Sequence, residues 1–321
     1  AVDAMGGDSA PEEVVKGAIL AKKEGVDVIL SGDENLIKSY LGNEKIPVIN
    51  YPQVISMDDD PAKAIRSNKD SSIIGALNLV KEKKADAVFS AGSTGATLIG
   101  AISVLGKIKG VTRPTIASVL PGKEKEVILV DSGANLEVKP KVLYQFAIMG
   151  SKLSELLFDI ENPRIGLINN GEESSKGREL EKATFKLLKS SQLNFIGNVE
   201  GKDFANSKVD VFVTDGFTGN VVLKTLQGVA KLQQDLISKS LKENLFKPLL
   251  VPVKNAISPV KSMLNPNSTN GSYLLGVNGL VIIGHGSSNS EAIKNALLFT
   301  SRAVEKRFIN KFTEVSSELW M

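Results

Sequence analysis

Asn220 and Lys224 lie four residues apart in VDVFVTDGFTGNVVLKTL (Val209–Leu226), where a short apolar run gives way to a helical pattern. Side chains at that spacing share one helix face, so an amide donor and a fixed cation point the same way. The turn before them is polar and glycine-rich, with Thr218 placed to cap the helix that starts at about Gly219. A helix start offers N–H groups and the positive end of its dipole to an anion, and lysine meets phosphate as a point charge. Asp215, Gly216, Thr218, Gly219, Asn220 and Lys224 therefore read as half of a phosphate site.

Five more glycine turns follow short apolar runs: DAMGGD (Asp3–Asp8), SAGSTGA (Ser90–Ala96), DSGAN (Asp131–Asn135), NNGEESSKG (Asn169–Gly177) and GHGSSN (Gly284–Asn289). In an open α/β sheet, loops at the carboxyl ends of strands meet in one crevice, so all six turns are expected to converge. They contribute Asp3, Gly6, Gly7, Gly92, Ser93, Thr94, Asn135 and Ser287 as candidate binding residues, with Lys139 and Lys176 as nearby cations. The strand-end carboxylates Asp3, Asp8, Asp131 and Asp215 suit Mg²⁺, but aspartate in a turn more readily accepts backbone N–H groups, which is the preferred reading. His285 is the sole histidine; a structural role and a role in anion binding or proton transfer both fit its turn. Arg66 and Lys69, in AIRSNKDSS, form a basic group that is either plain surface or a dock for an acidic partner.

Composition narrows the classes. Net charge of +3 gives no argument for nucleic acid. The absence of cysteine removes disulfides, thiolate metal sites and a cysteine nucleophile, and suits a cytoplasmic protein. No run of 18 apolar residues is present, so a membrane span is not expected. The start at Ala1 leads us to expect a short leader ahead of it. GHGSSN lacks the third glycine of a dinucleotide fingerprint and the acidic residue about 20 positions on, and no P-loop or nucleophile elbow occurs.

These residues need a frame. Apolar runs at Val26–Leu30, Pro47–Asn50, Asp86–Ser90, Ile165–Asn169, Leu193–Ile196 and Val209–Val213 alternate with helical patterns, which predicts an α/β fold with a mostly parallel sheet and helices on both faces. Ile116–Pro121 and Val127–Gly133 are close enough to form an antiparallel pair, and Leu274 onward reads as strand then helix. No linker is visible, so residues 1–321 are expected to form a single α/β unit, or two lobes sharing one sheet. Within it, residues 229–264 read as a helical projection, apolar and lysine-rich. Lys239–Lys261 holds five lysines against one glutamate, a pattern that fits either contact with anionic membrane or an oligomer interface with a lysine rim.

DAMGGD, MDDDPAKAIRSNKDSS (Met57–Ser72), SAGSTGAT, GANLEVKP (Gly133–Pro140), NNGEESSKG, FIGNVEGKD (Phe195–Asp203), TDGFTGNVVLKTL and LLGVNGLVIIGHGSSN (Leu274–Asn289) follow one another in an order that resembles the PlsX-type acyl-acyl carrier protein:phosphate acyltransferase family of bacterial phospholipid synthesis. The resemblance spans nearly the whole chain. It implies a fold similar to phosphotransacetylases and isocitrate-type dehydrogenases, and transfer of a fatty acyl group from acyl carrier protein to inorganic phosphate. It further implies a homodimer with peripheral contact at the inner face of the cell membrane. Phosphate is already an anionic nucleophile at neutral pH, so no metal or organic cofactor is required. Asn220, Lys176, Lys224 and His285 are the expected catalytic residues, and Arg66 and Lys69 the expected docking residues for acidic acyl carrier protein. Two stretches depart from the family pattern: Ser9 stands where many members carry histidine, and NGSYLLG (Asn270–Gly276) stands near a usual YGGAPLLG. A phosphotransacetylase-like acyl-CoA:phosphate transferase and a non-catalytic, membrane-associated acyl-phosphate scaffold are the alternatives.

Overall fold

The computed structural model describes residues 1–244 and 271–319, with side chains described to 240 and from 271 to 314. In chain order the elements are β1 (Val2–Asp3), α1 (Glu12–Lys23), β2 (Leu30–Gly32), α2 (Glu34–Leu41), β3 (Val48–Asn50), α3 (Pro61–Ser67), α4 (Ser72–Lys81), β4 (Ala87–Ser90) and α5 (Thr94–Val104). They continue as β5 (Thr115–Leu120), β6 (Val127–Val130), α6 (Pro140–Phe158), β7 (Ile165–Ile168), α7 (Glu179–Lys189), β8 (Phe195–Val199), a 3-10 turn (Gly201–Phe204) and β9 (Val211–Val213). The last are α8 (Gly216–Asn244), β10 (Ser272–Leu275), β11 (Leu280–Ile283), α9 (Ser290–Glu305) and α10 (Phe308–Leu319).

All the described strands join one sheet in the order β3-β2-β1-β4-β11-β10-β5-β6-β9-β7-β8. It is largely parallel, but in two blocks. β1–β4 and β11 run one way. β6, β9, β7 and β8 are parallel to one another. The antiparallel strands β10 and β5 stand between the blocks and reverse the direction. The carboxyl-end turns of the two blocks therefore point to opposite ends of the sheet. The six glycine turns do not share one edge; they form two groups of three.

Both faces are buried, and alternation along the strands divides them. Phe89, Ile128, Val130, Val211, Val213 and Tyr273 pack with α1, α6, α9 and α10. Val88, Ile116, Leu274 and Val281 pack with α4 and α5 on the other face, where Leu129 and Phe212 meet Val222 and Leu223 of α8. Strands buried on both sides read as continuous apolar runs, which is why the sequence announces them. Three local expectations change. The stretch from Leu274 forms a hairpin, β10 and β11, because Val277–Gly279 turns the chain back. α3 is an extra helix, capped by Asp60 through its 2.8 Å bond from Lys63 N–H. α8 begins at Gly216, because Asp215 rather than Thr218 caps it. Of the projection expected at 229–264, α8 accounts for the part to Asn244, and residues 245–264 lie outside the described residues.

Candidate active site

The turns of the second block fix α8. Asp215 is buried, and its Oδ1 accepts the Thr218 N–H at 2.7 Å while its carbonyl accepts Gly219 N–H at 2.9 Å. Gly216 N–H donates to Asn135 O at 2.8 Å. Three first-turn donors expected to face an anion are thus spent within the protein. A Cβ at position 219 would stand 1.8 Å from the Asp131 carbonyl oxygen, so only glycine lets the helix seat here. Buried Asp131 gathers its own turn, accepting N–H groups of Gly133 at 3.0 Å, Ala134 at 2.8 Å and Asn135 at 2.8 Å. Burial raises its pKa, against the pull of those bonds. Asn135 Nδ2 is taken by Pro114 O and Asp131 Oδ2, each at 2.8 Å.

Arg178 completes this frame. Its guanidinium pairs with Glu181 at 2.5 Å and with Asp215, bridging the start of α7 to the start of α8. Those two acids hold its pKa above the ordinary arginine value. Sequence reasoning passed over this residue. The available signal was an arginine at a helix N-terminus, where the dipole opposes a cation unless acids hold it.

The turns of the first block are linked in their own way. Asp3, buried with a raised pKa, accepts the Ser90 hydroxyl at 2.6 Å, and Ser90 Oγ accepts Gly92 N–H at 3.1 Å. A Cβ on Gly6 would stand 2.6 Å from Asp3 Oδ2 and 2.7 Å from Gly92 N, so this glycine permits the close approach of two turns. Asp8 N–H donates to Gly286 O at 2.8 Å, which draws in the third turn. Asp3, Gly6, Gly92 and Ser93 line a hollow of about 10 Å³, room for one water at most. They stand beside the larger site.

That site lies between the two groups. A cavity of about 490 Å³ is lined at one part by Thr94, Gly133, Asn220, Lys224, Gly284 and His285. Elsewhere its wall is Val119, Leu120, Phe204, Leu223, Leu226 and Ala230. α8 explains the meeting. It starts at the second block's turns and crosses the sheet face toward those of the first, a rise of roughly 12 Å over the eight residues from Gly216 to Lys224. Asn220 consequently faces Gly133, whose Cβ would be 3.6 Å from Asn220 Oδ1, while Lys224 Nζ reaches His285 Nε2 at 3.4 Å. Ser287 brings both its N–H, at 3.2 Å, and its Oγ, at 2.8 Å, to His285 Nδ1, while the Lys224 ammonium meets Nε2, so two donors compete for the one lone-pair nitrogen of the neutral ring. Burial first, and then the Lys224 charge, lower the His285 pKa, which keeps the imidazole neutral.

The remaining candidates fall outside this wall. Lys176, Lys139 and the pair Arg66 and Lys69 are exposed on three separate segments, and Gly7 lies in the first-block turn. The apolar cavity residues of α8 follow Asn220 at helical spacing, a period visible in the sequence; Phe204 and the wall of β5 had no such signal. Among the described residues, no group of three or more His, Cys, Asp or Glu side chains is placed to hold a metal ion. No described helix is long and apolar enough to cross a membrane.

The fold has relatives among solved structures. A phosphotransacetylase from Streptococcus pyogenes superimposes with a TM-score of 0.59 at 17% identity, covering 95% of this chain and 93% of that one. A 4-hydroxythreonine-4-phosphate dehydrogenase from Klebsiella pneumoniae gives 0.54 at 13% identity, covering 92% and 97%. Sequence relatives are much nearer. The phosphate acyltransferase of Halothermothrix orenii is 43% identical over 318 residues, 96% of this chain and 95% of the relative. That of Pelotomaculum thermopropionicum is 45% identical, covering 96% and 92%. The family model described as fatty acid synthesis protein matches residues 1–311. This chain therefore belongs to the fatty acid synthesis protein family, the phosphate acyltransferases, and is an acyltransferase with phosphate as acceptor.

Proposed function

We propose that the acyl donor is a fatty acyl thioester of acyl carrier protein and that the acyl phosphate product serves phospholipid synthesis. One observation carries the reading: a single cavity joins an amide, a cation and a helix start to a long apolar wall. The reaction needs both. Phosphate must be held against its own charge beside the thioester carbonyl, and a fatty chain must be taken out of water.

In this reading phosphate lies between the start of α5 at Thr94 and the Lys224 ammonium. A phosphate oxygen attacks the thioester carbon, the C–O bond forms, the C–S bond breaks, and the electron pair leaves on sulfur. Asn220 donates its amide N–H to the developing oxyanion. His285, beside Lys224, orients that ammonium rather than protonating the thiolate, which is a good leaving group without help. Arg66 and Lys69 supply charge to dock acidic acyl carrier protein; α3, which carries Arg66, starts at Pro61 against Gly95 of α5. The outer face of α8, where Val229, Leu232 and Leu236 are exposed, serves the homodimer and anionic membrane contacts, with the chain at the cytoplasmic side.

The test is incubation of fatty acyl-acyl carrier protein with phosphate, trapping acyl phosphate with hydroxylamine, with acyl-CoA in a parallel reaction. Phosphate-dependent hydroxamate from the carrier-bound donor, at a Michaelis constant that rises with salt, is the expected result. A reaction that proceeds only from acyl-CoA overturns the donor assignment.

A further inference from the structure

Three serines from separate strands and turns make a chain of hydroxyls in the cavity wall. Ser132 Oγ donates to Ile116 O at 3.1 Å, and Ser118 Oγ donates to Ser132 Oγ at 2.8 Å. Ser118 Oγ and Ser272 Oγ are 2.8 Å apart. Since the Ser118 proton is already committed, Ser272 must be the donor in that pair. Each hydroxyl has one proton, and all three are now assigned. The chain therefore runs one way and ends at Ser272 with oxygen lone pairs and no proton to give. Ser118 and Ser132 are buried, while Ser272 is half-buried at the start of β10, and all three line the 490 Å³ cavity.

A saturated fatty chain has nothing to offer such an acceptor, and a polar oxygen left unmatched against it costs free energy. The other half of an acyl thioester is different. The arm that presents sulfur, on carrier protein and on coenzyme A alike, carries amide N–H groups close to the thioester. We infer that Ser272, polarised through Ser118 and Ser132, accepts an amide N–H of the donor's thioester arm, so that the cavity holds arm and chain in distinct places. The chain then follows Leu223, Leu226 and Ala230 along α8, and the arm lies over β5 and β10. This rests on the reading of the cavity as the thioester site. It also gives a role to NGSYLLG, one of the stretches that departs from the family pattern: its serine enters the cavity, while Tyr273 turns to the opposite face between Phe299 and Phe308.

The experiment compares a fatty acyl N-acetylcysteamine thioester, which keeps the first amide, with the matched fatty acyl thioester of an alkyl thiol of the same length. In the wild type the amide donor is used more efficiently by roughly tenfold in kcat/KM, the size of one hydrogen bond to a half-buried acceptor. Ser272→Ala abolishes the preference by slowing the amide donor alone, and Ser272→Thr, which restores a hydroxyl, recovers it. Carrier-bound and coenzyme A-bound donors, which share the arm, lose the same factor in Ser272→Ala. Equal use of both small thioesters by the wild type, or a preference that survives in Ser272→Ala, overturns the assignment while phosphate-dependent acyl phosphate formation stands. Failure to form acyl phosphate from any thioester would instead remove the reading of the cavity on which it depends.

Discussion

The two groups of turns are built from the same vocabulary, aspartate at a strand end and glycine behind it, yet they do different work. In the second block, Asp131, Asp215, Asn135 and Arg178 consume one another's hydrogen bonds and the N–H groups at the start of α8. That group is a clamp. In the first block, Asp3 and Gly6 draw two turns together, but Thr94 and His285 remain on the cavity wall. That group faces the ligand. Residues are thus delivered to the site by a helix whose origin is the clamp, and resemblance between turns is no guide to which one touches substrate.

The strongest way to break this contrast is Gly219→Ala. With the Asp131 carbonyl only 1.8 Å from the added Cβ, α8 must shift, and we expect a loss of about 3 kcal/mol or more together with near-complete loss of acyl phosphate formation. A melting curve and the hydroxamate assay check both; normal stability would mean that the clamp is soft. Asn220→Ala should then lower turnover at least tenfold at unchanged melting temperature, since the side chain is exposed to the cavity rather than packed. A third comparison separates neighbours on one loop. Arg178→Ala, which releases Asp215, should slow turnover several-fold, whereas Lys176→Ala, whose side chain is outside the cavity wall, should stay within about threefold of wild type by the same assay. This sets the geometry against the sequence reading, which expected Lys176 to be catalytic.

The smallest effect is also the cleanest to read. His285 is the sole histidine, so its ring signals are directly assignable by NMR. Burial and the Lys224 charge place its pKa below the ordinary value of about 6.5, and Lys224→Gln should move the midpoint upward by removing the repulsion. Because the folded state binds this proton less readily than the unfolded chain, stability from this group is complete above the ordinary histidine pKa. It is lost as pH falls from that value through the depressed one. An unchanged midpoint in Lys224→Gln would separate the two side chains in solution.

Much of the frame was legible along the chain. Continuous β-branched runs marked the buried strands, and spacing of four put Asn220 and Lys224 on one face, as the cavity wall confirms in geometry. The reading of turn aspartates as acceptors of backbone N–H groups also matches Asp131 and Asp215. Motif order was enough for the family. What periodicity could not express was direction. Two blocks of strands running opposite ways give the same pattern of apolar runs as one continuous parallel sheet, so the single crevice expected from six turns became two groups joined by a helix.

What the sequence determined by itself, then, is local: which residues cap, turn, pair or bury, because those choices depend on neighbours within a few positions. The tertiary structure decided whether an N–H group was free for a ligand or already bonded, and whether a glycine served a ligand or another carbonyl. It also decided which serines from β5, the turn after β6 and β10 would share protons. Those outcomes depend on contacts between residues far apart in the chain, 154 positions for Ser118 and Ser272, and no local pattern carries them.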